Sequence, residues 1–149
     1  MEPFIHLAYD HFLLINDLYS FDREKRAADT HGATFTNVIH FPEEYLSVNP
    51  EVAKKVTLDI LEGVECQLHT ELQRLKESPT ITETQLQYAF GTIENLSGNV
   101  LFSLTSKRYG GKAAVAFHLP PGVSRPGESS SMSKVVAMWI PGKSLIATA

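Results

Sequence analysis

Apolar residues recur near the start of the chain at Phe4, Ile5, Leu7, Ala8, Phe12, Leu14, Ile15, Leu18 and Tyr19. The period is helical and the apolar positions spread over more than one face. They predict a helix over residues 2 to about 27, enclosed in a larger bundle. Pro3 suits its first turn, where the N–H that proline lacks would have no intrahelical partner. The stretch from Ala28 to Thr36 contains Asp29-Thr30-His31-Gly32 and reads as a loop. A short helix is expected from Phe35 to Phe41, ending before Pro42. Asn49-Pro50-Glu51 marks the next helix start: an N-cap residue, a proline, then an acid in the first turn. That helix should run to about Glu77 on an apolar stripe of Val52, Val56, Ile60, Val64, Leu68, Leu72 and Leu75, until Ser78-Pro79 breaks it. Thr82 and Gln85 have capping-box spacing. The helix behind them carries Leu86, Phe90, Ile93, Leu96, Val100, Leu101 and Leu104 to about Arg108. Gly98 inside it costs about 1 kcal/mol relative to alanine, which fits close packing, a kink or chance.

The pattern changes after Gly110-Gly111. Leu119-Pro120-Pro121-Gly122 and the Pro/Gly/Ser-rich residues 124–131 read as a linker or disordered tail. The brief apolar run from Val135 to Ile140 fits a short strand, a docking peptide or nothing ordered. The expectation is an all-α fold: a helical unit over residues 1–111 and an irregular C-terminal tail over 112–149.

Composition narrows the function classes. With 43% apolar and 20% charged residues in 149, a packed core is expected and wholesale disorder is not. A formal net charge of -4 gives no electrostatic case for nucleic acid or an anionic membrane. The single cysteine, Cys66, rules out an internal disulfide and a cysteine-based zinc site; it reads as a buried or half-buried helix residue. No signal-peptide pattern opens the chain and no apolar run approaches the ~20 residues of a membrane span, so a cytoplasmic location is expected. His6 and His11 are off a common helix face and the other histidines are scattered, which suits surface or structural roles.

The candidate chemistry lies on the first helix. Asn16, Ser20 and Glu24 are spaced four and four. On a helix they line one face, drifting about 80° over two turns and rising roughly 12 Å. An amide, a hydroxyl and a carboxylate on one side can hold a small hard cation, with water and a ligand phosphate completing its shell. The same spacing also occurs by chance on solvated helix faces.

The text around these residues, Asn16-Asp17-x-x-Ser20-x-x-Arg23-Glu24 behind an apolar helical run, resembles the second metal motif of class I terpene synthases, most closely in their fungal and bacterial branches. A second stretch, Gly98-Asn99-Val100-Leu101-Phe102-Ser103 followed by Arg108-Tyr109, resembles a further pattern of the microbial enzymes, with Phe102 where tryptophan is common. The resemblance covers residues about 4 to 111. It implies a terpenoid-synthase helical bundle, of which this chain holds the C-terminal portion. It also implies magnesium-dependent ionisation and cyclisation of a linear prenyl diphosphate (farnesyl, geranylgeranyl or longer). Asn16, Ser20 and Glu24 would be metal ligands, Arg23, Arg108 and Tyr109 diphosphate contacts, and Phe102 a wall of the hydrocarbon pocket. Taken singly, each has a plainer reading: Arg23 as a solvated residue, Arg108-Tyr109 as a helix-end pair, Phe102 as core. Asp17 lies about 100° from Asn16 around the helix, a supporting position.

The family's aspartate-rich motif and upstream diphosphate-sensing arginine have no counterpart in these 149 residues. The isolated chain is therefore expected to be catalytically incompetent, since few helices cannot wall water away from a carbocation. The alternatives are a non-catalytic helical interaction protein derived from such a synthase, or a part of a fused cyclase-prenyltransferase. A chain-elongating prenyl synthase ranks lower, because it carries a second aspartate-rich motif where this chain has Asn, Ser and Glu.

Overall fold

The computed structural model describes residues 1–109. Four helices follow one another: α1 (Glu2–His31), α2 (His40–Tyr45), α3 (Pro50–Glu77) and α4 (Glu83–Thr105). No strand occurs among the described residues, and the fold is all-α as the periodicity predicts. No helix among them is long and apolar enough to cross a membrane. The unit boundary near Gly110, the tail over 112–149 and the run ending at Ile140 lie outside the described residues.

The helix starts follow the local chemistry. Asn49 is extended and its side chain accepts from the Val52 N–H, with Pro50 behind it. Thr82 and Gln85 form a reciprocal capping box, the Thr82 hydroxyl accepting from the Gln85 N–H and the Gln85 side chain accepting from the Thr82 N–H. The ends depart further from expectation. α1 continues past residue 27 to His31 and closes at Gly32, whose φ of 64° is left-handed and whose N–H bonds the Ala28 carbonyl. α2 lies at 40–45 rather than 35–41, with Pro42 inside its first turn. Proline is compatible there because first-turn N–H groups have no intrahelical acceptor. The expected end of α4 near Arg108 becomes a stop at Thr105, where extended Ser106 interrupts the helix before residues 107–109 turn helically again.

α1 packs against both α3 and α4, which touch each other far less. The main core joins Phe4, Ala8, Leu14 and Ile15 of α1 to Leu61, Leu68, Leu72 and Leu75 of α3 and Ala89, Ile93, Leu96 and Val100 of α4. Side chains as buried as Phe4, Ile15, Leu61 and Leu68 each contribute about 1.5–3 kcal/mol through the hydrophobic effect. A smaller cluster of Phe21, Ile39 and Ala53 seals the α1–α2 connection against α3. Inside the main interface a buried pair, His11 Nε2 and Glu65 Oε1 at 3.3 Å, joins α1 to α3.

The stripe expected on α3 is only half realised. Val64, Leu68, Leu72 and Leu75 are buried, but Val52 and Ile60 are exposed, and Ala53, Thr57 and Leu61 take the core side. A run of residues four apart drifts about 40° per step, so Val52 and Leu72 fall roughly 200° apart and cannot share a face. Phe90 is exposed on α4 for the same kind of reason, its neighbour Ala89 facing inward. Cys66 is exposed rather than buried. A Cβ at Gly98 would meet nothing within 4 Å, so close packing does not explain that glycine.

Candidate functional site

The three oxygen-bearing residues of α1 meet different surroundings along their row. Asn16 is exposed, Ser20 is fully buried and Glu24 is half-buried. Different parts of the chain close the two ends. At the Asn16 end, Tyr109 arrives from beyond α4 and its hydroxyl donates to Asn16 Oδ1 at 3.3 Å, across 93 residues of sequence. Asn16 Nδ2 in turn lies 3.4 Å from Asp17 Oδ1.

Charge gathers around the Tyr109 ring. The Arg23 and Arg108 guanidiniums each lie 5.6 Å from its centroid, and the Phe102 ring meets it edge-on at 6.3 Å. Exposed cation–π contacts of this kind contribute about 0.5–1 kcal/mol each. Two cations and a phenol hydroxyl beside Asn16 make a face suited to a phosphate-bearing anion, because guanidinium offers fixed, charge-assisted donors to phosphate oxygens. Arg23 Nη2 also lies 3.5 Å from Glu24 Oε1, a partly exposed pair that adds little stability of its own. Phe102 is 54% exposed, so within the described residues it borders open space rather than a closed pocket.

At the other end stands Asn37, a buried residue of the α1–α2 connection that sequence reasoning did not single out. Its Nδ2 donates to the Asp17 carbonyl at 2.9 Å and to Glu24 Oε2 at 3.1 Å, and lies 3.5 Å from Ser20 Oγ. Asp17 has the supporting role its position suggests, its Oδ2 accepting from the Val38 N–H at 2.8 Å. Just outside, the Lys25 ammonium pairs with Glu43 of α2. That hydrogen bond is the main reason the Glu43 carboxyl is held below its ordinary range.

The structure thus brings Asn16, Arg23, Phe102, Arg108 and Tyr109 together and places Ser20 and Glu24 along the same row. Amide, hydroxyl and carboxylate oxygens suit a hard divalent cation, and hydrogen-bond donors from Tyr109 and Asn37 already point at them, as positive charge would be required to do. Among the described residues no group of three His, Cys, Asp or Glu offers a rival metal site. Asp17 and Asn37 also border an apolar groove of about 390 Å3, together with Asp10, Leu13, Phe41 and Ile60.

No family model matches the chain, and no solved structure does. Curated proteins do. Terpene cyclase aneC of Aspergillus aculeatus is 37% identical over 111 residues, 74% of this chain and 25% of that protein. Terpene cyclase 6 of Gibberella fujikuroi is 32% identical, over 74% of this chain and 30% of that protein. A bifunctional sesterterpene synthase of Aspergillus aculeatus is 29% identical, over 68% of this chain and 14% of that protein. The chain therefore spans a third or less of the length of these relatives. Within that span, with an all-α fold and both motif stretches among the described residues, the chain belongs to the terpene synthase family.

Proposed function

We propose that Asn16, Ser20 and Glu24 bind a magnesium ion and that Arg23, Arg108 and Tyr109 bind the diphosphate of a linear prenyl substrate, in a protein of terpene cyclase chemistry. One observation carries the reading: Tyr109, with two guanidiniums beside its ring, reaches across 93 residues to the first oxygen of the row. Magnesium would neutralise diphosphate charge and make it a better leaving group. The chain's own residues would hold that anion through the Arg forks and the Tyr109 hydroxyl. Phe102 would present an aromatic face to the allylic cation left behind.

The described residues supply one ligand row, and among them Phe102 faces open space, so the proposal extends to binding without turnover by the isolated chain. The exposed Tyr9, Leu13 and Tyr88 favour a second reading, a non-catalytic partner-binding helical protein. Calorimetric titration with magnesium and inorganic diphosphate, alongside assays on farnesyl and geranylgeranyl diphosphates, separates them. Magnesium-dependent diphosphate binding is expected, weakened tenfold or more by Asn16→Ala or Glu24→Ala. No binding would leave the interaction protein standing; turnover would overturn the claim of incompetence.

A further inference from the structure

Asn37 is 2% exposed, yet its carboxamide faces the oxygen row instead of apolar core. Its orientation is fixed from both sides: Oδ1 accepts from the Ile39 N–H at 3.1 Å, while Nδ2 faces the Asp17 carbonyl, the Glu24 carboxylate and the Ser20 hydroxyl. A flipped amide would set oxygen against oxygen. Two amide hydrogens meet three acceptors, so the short contacts to Asp17 and Glu24 take them and Ser20 stays at the 3.5 Å margin, its oxygen still open to another partner. Glu24 lies between opposed pulls: Arg23 beside Oε1 toward solvent, Asn37 on Oε2 toward the buried side.

We propose that Asn37 is a positioning residue for the cation row. It holds the Glu24 carboxylate beside Ser20 against the outward pull of Arg23, so that the ligands are arranged before the cation arrives. This rests on the reading of Asn16, Ser20 and Glu24 as ligands. The α1–α2 connection is then a working part of the site, anchored by Asp17 on the Val38 N–H and by Asn37 itself.

The test is Mn2+ binding by this chain with inorganic diphosphate, read from the electron paramagnetic resonance of the free ion, with helicity followed by circular dichroism. Asn37→Ala should weaken Mn2+ tenfold or more at unchanged helicity, the size expected for losing a group that orients a ligand. Asn37→Asp keeps the acceptor for Ile39 but sets a second carboxylate against Glu24. In a Glu24→Gln background Asn37→Ala should weaken Mn2+ by less than a further twofold, because the carboxylate that Asn37 holds is gone. A purely structural asparagine would weaken binding equally in both backgrounds, and Asn37→Asp, which keeps the Ile39 anchor, takes the place of Asn37→Ala in this cycle if that variant fails to fold. Wild-type binding with the Asn37 variant within twofold, or an equal loss in both backgrounds, overturns the proposal. No Mn2+ binding by the wild-type chain overturns the ligand reading itself.

Discussion

At the scale of single residues, local and distant partners divide what a sequence reveals. Asn16, Ser20 and Glu24 are neighbours on one helix, so their shared face follows from spacing alone. Asn37 meets Glu24 only after the chain has turned back, and nothing in its flanking residues states where that turn will place it. The same holds for His11 and Glu65, 54 residues apart, whose pairing gives the histidine a structural role as a buried tie between two helices. Glu43 gives a prediction at this scale. Its carboxyl is held below its ordinary value by Lys25. A depressed carboxyl stabilises the fold above its unfolded value near 4.5, and that stabilisation is lost as pH falls through the lower folded value. Thermal stability should therefore drop on acidification below about pH 4.5, and Glu43→Gln, measured by circular dichroism melts, should show a smaller part of that drop.

At the scale of helices, starts were more legible than faces. Asn49 and the Thr82–Gln85 pair cap as their sequence suggests, since each bond spans three residues and needs no tertiary contact. Faces depend on accumulated rotation, and this is why the stripe read from Val52 to Leu75 turned away from the core in its first half. α2 was displaced because Pro42 reads equally well as a helix stop and as a first-turn residue; the Asn37 anchor before it selects the second. Gly98 offers a clean measurement. Its Cβ position is open and its backbone helical, so Gly98→Ala should stabilise the chain by about 0.5–1 kcal/mol and raise the denaturant midpoint without changing the slope. A loss of stability would mean that the α4 backbone bends at that residue.

At the scale of the whole molecule, the all-α class was legible because helical periodicity recurs in every long segment. The meeting of Tyr109 with Asn16 was not, since it needs α4 laid along α1 in one register. That arrangement, with α1 between two helices that barely meet, has a thermodynamic consequence. Interaction energies in double-mutant cycles should be appreciable for His11 with Glu65, which joins α1 to α3, and for Asn16 with Tyr109, which joins α1 to the turn after α4, and close to zero for pairs drawn from α3 and α4 alone, away from their few contacts. Away from those contacts α3 and α4 are then nearly independent once α1 is fixed. Among the described residues a change in one influences the other mainly by shifting the helix that carries the oxygen row, which makes the spine of the fold also the main route for energetic coupling between its two sides.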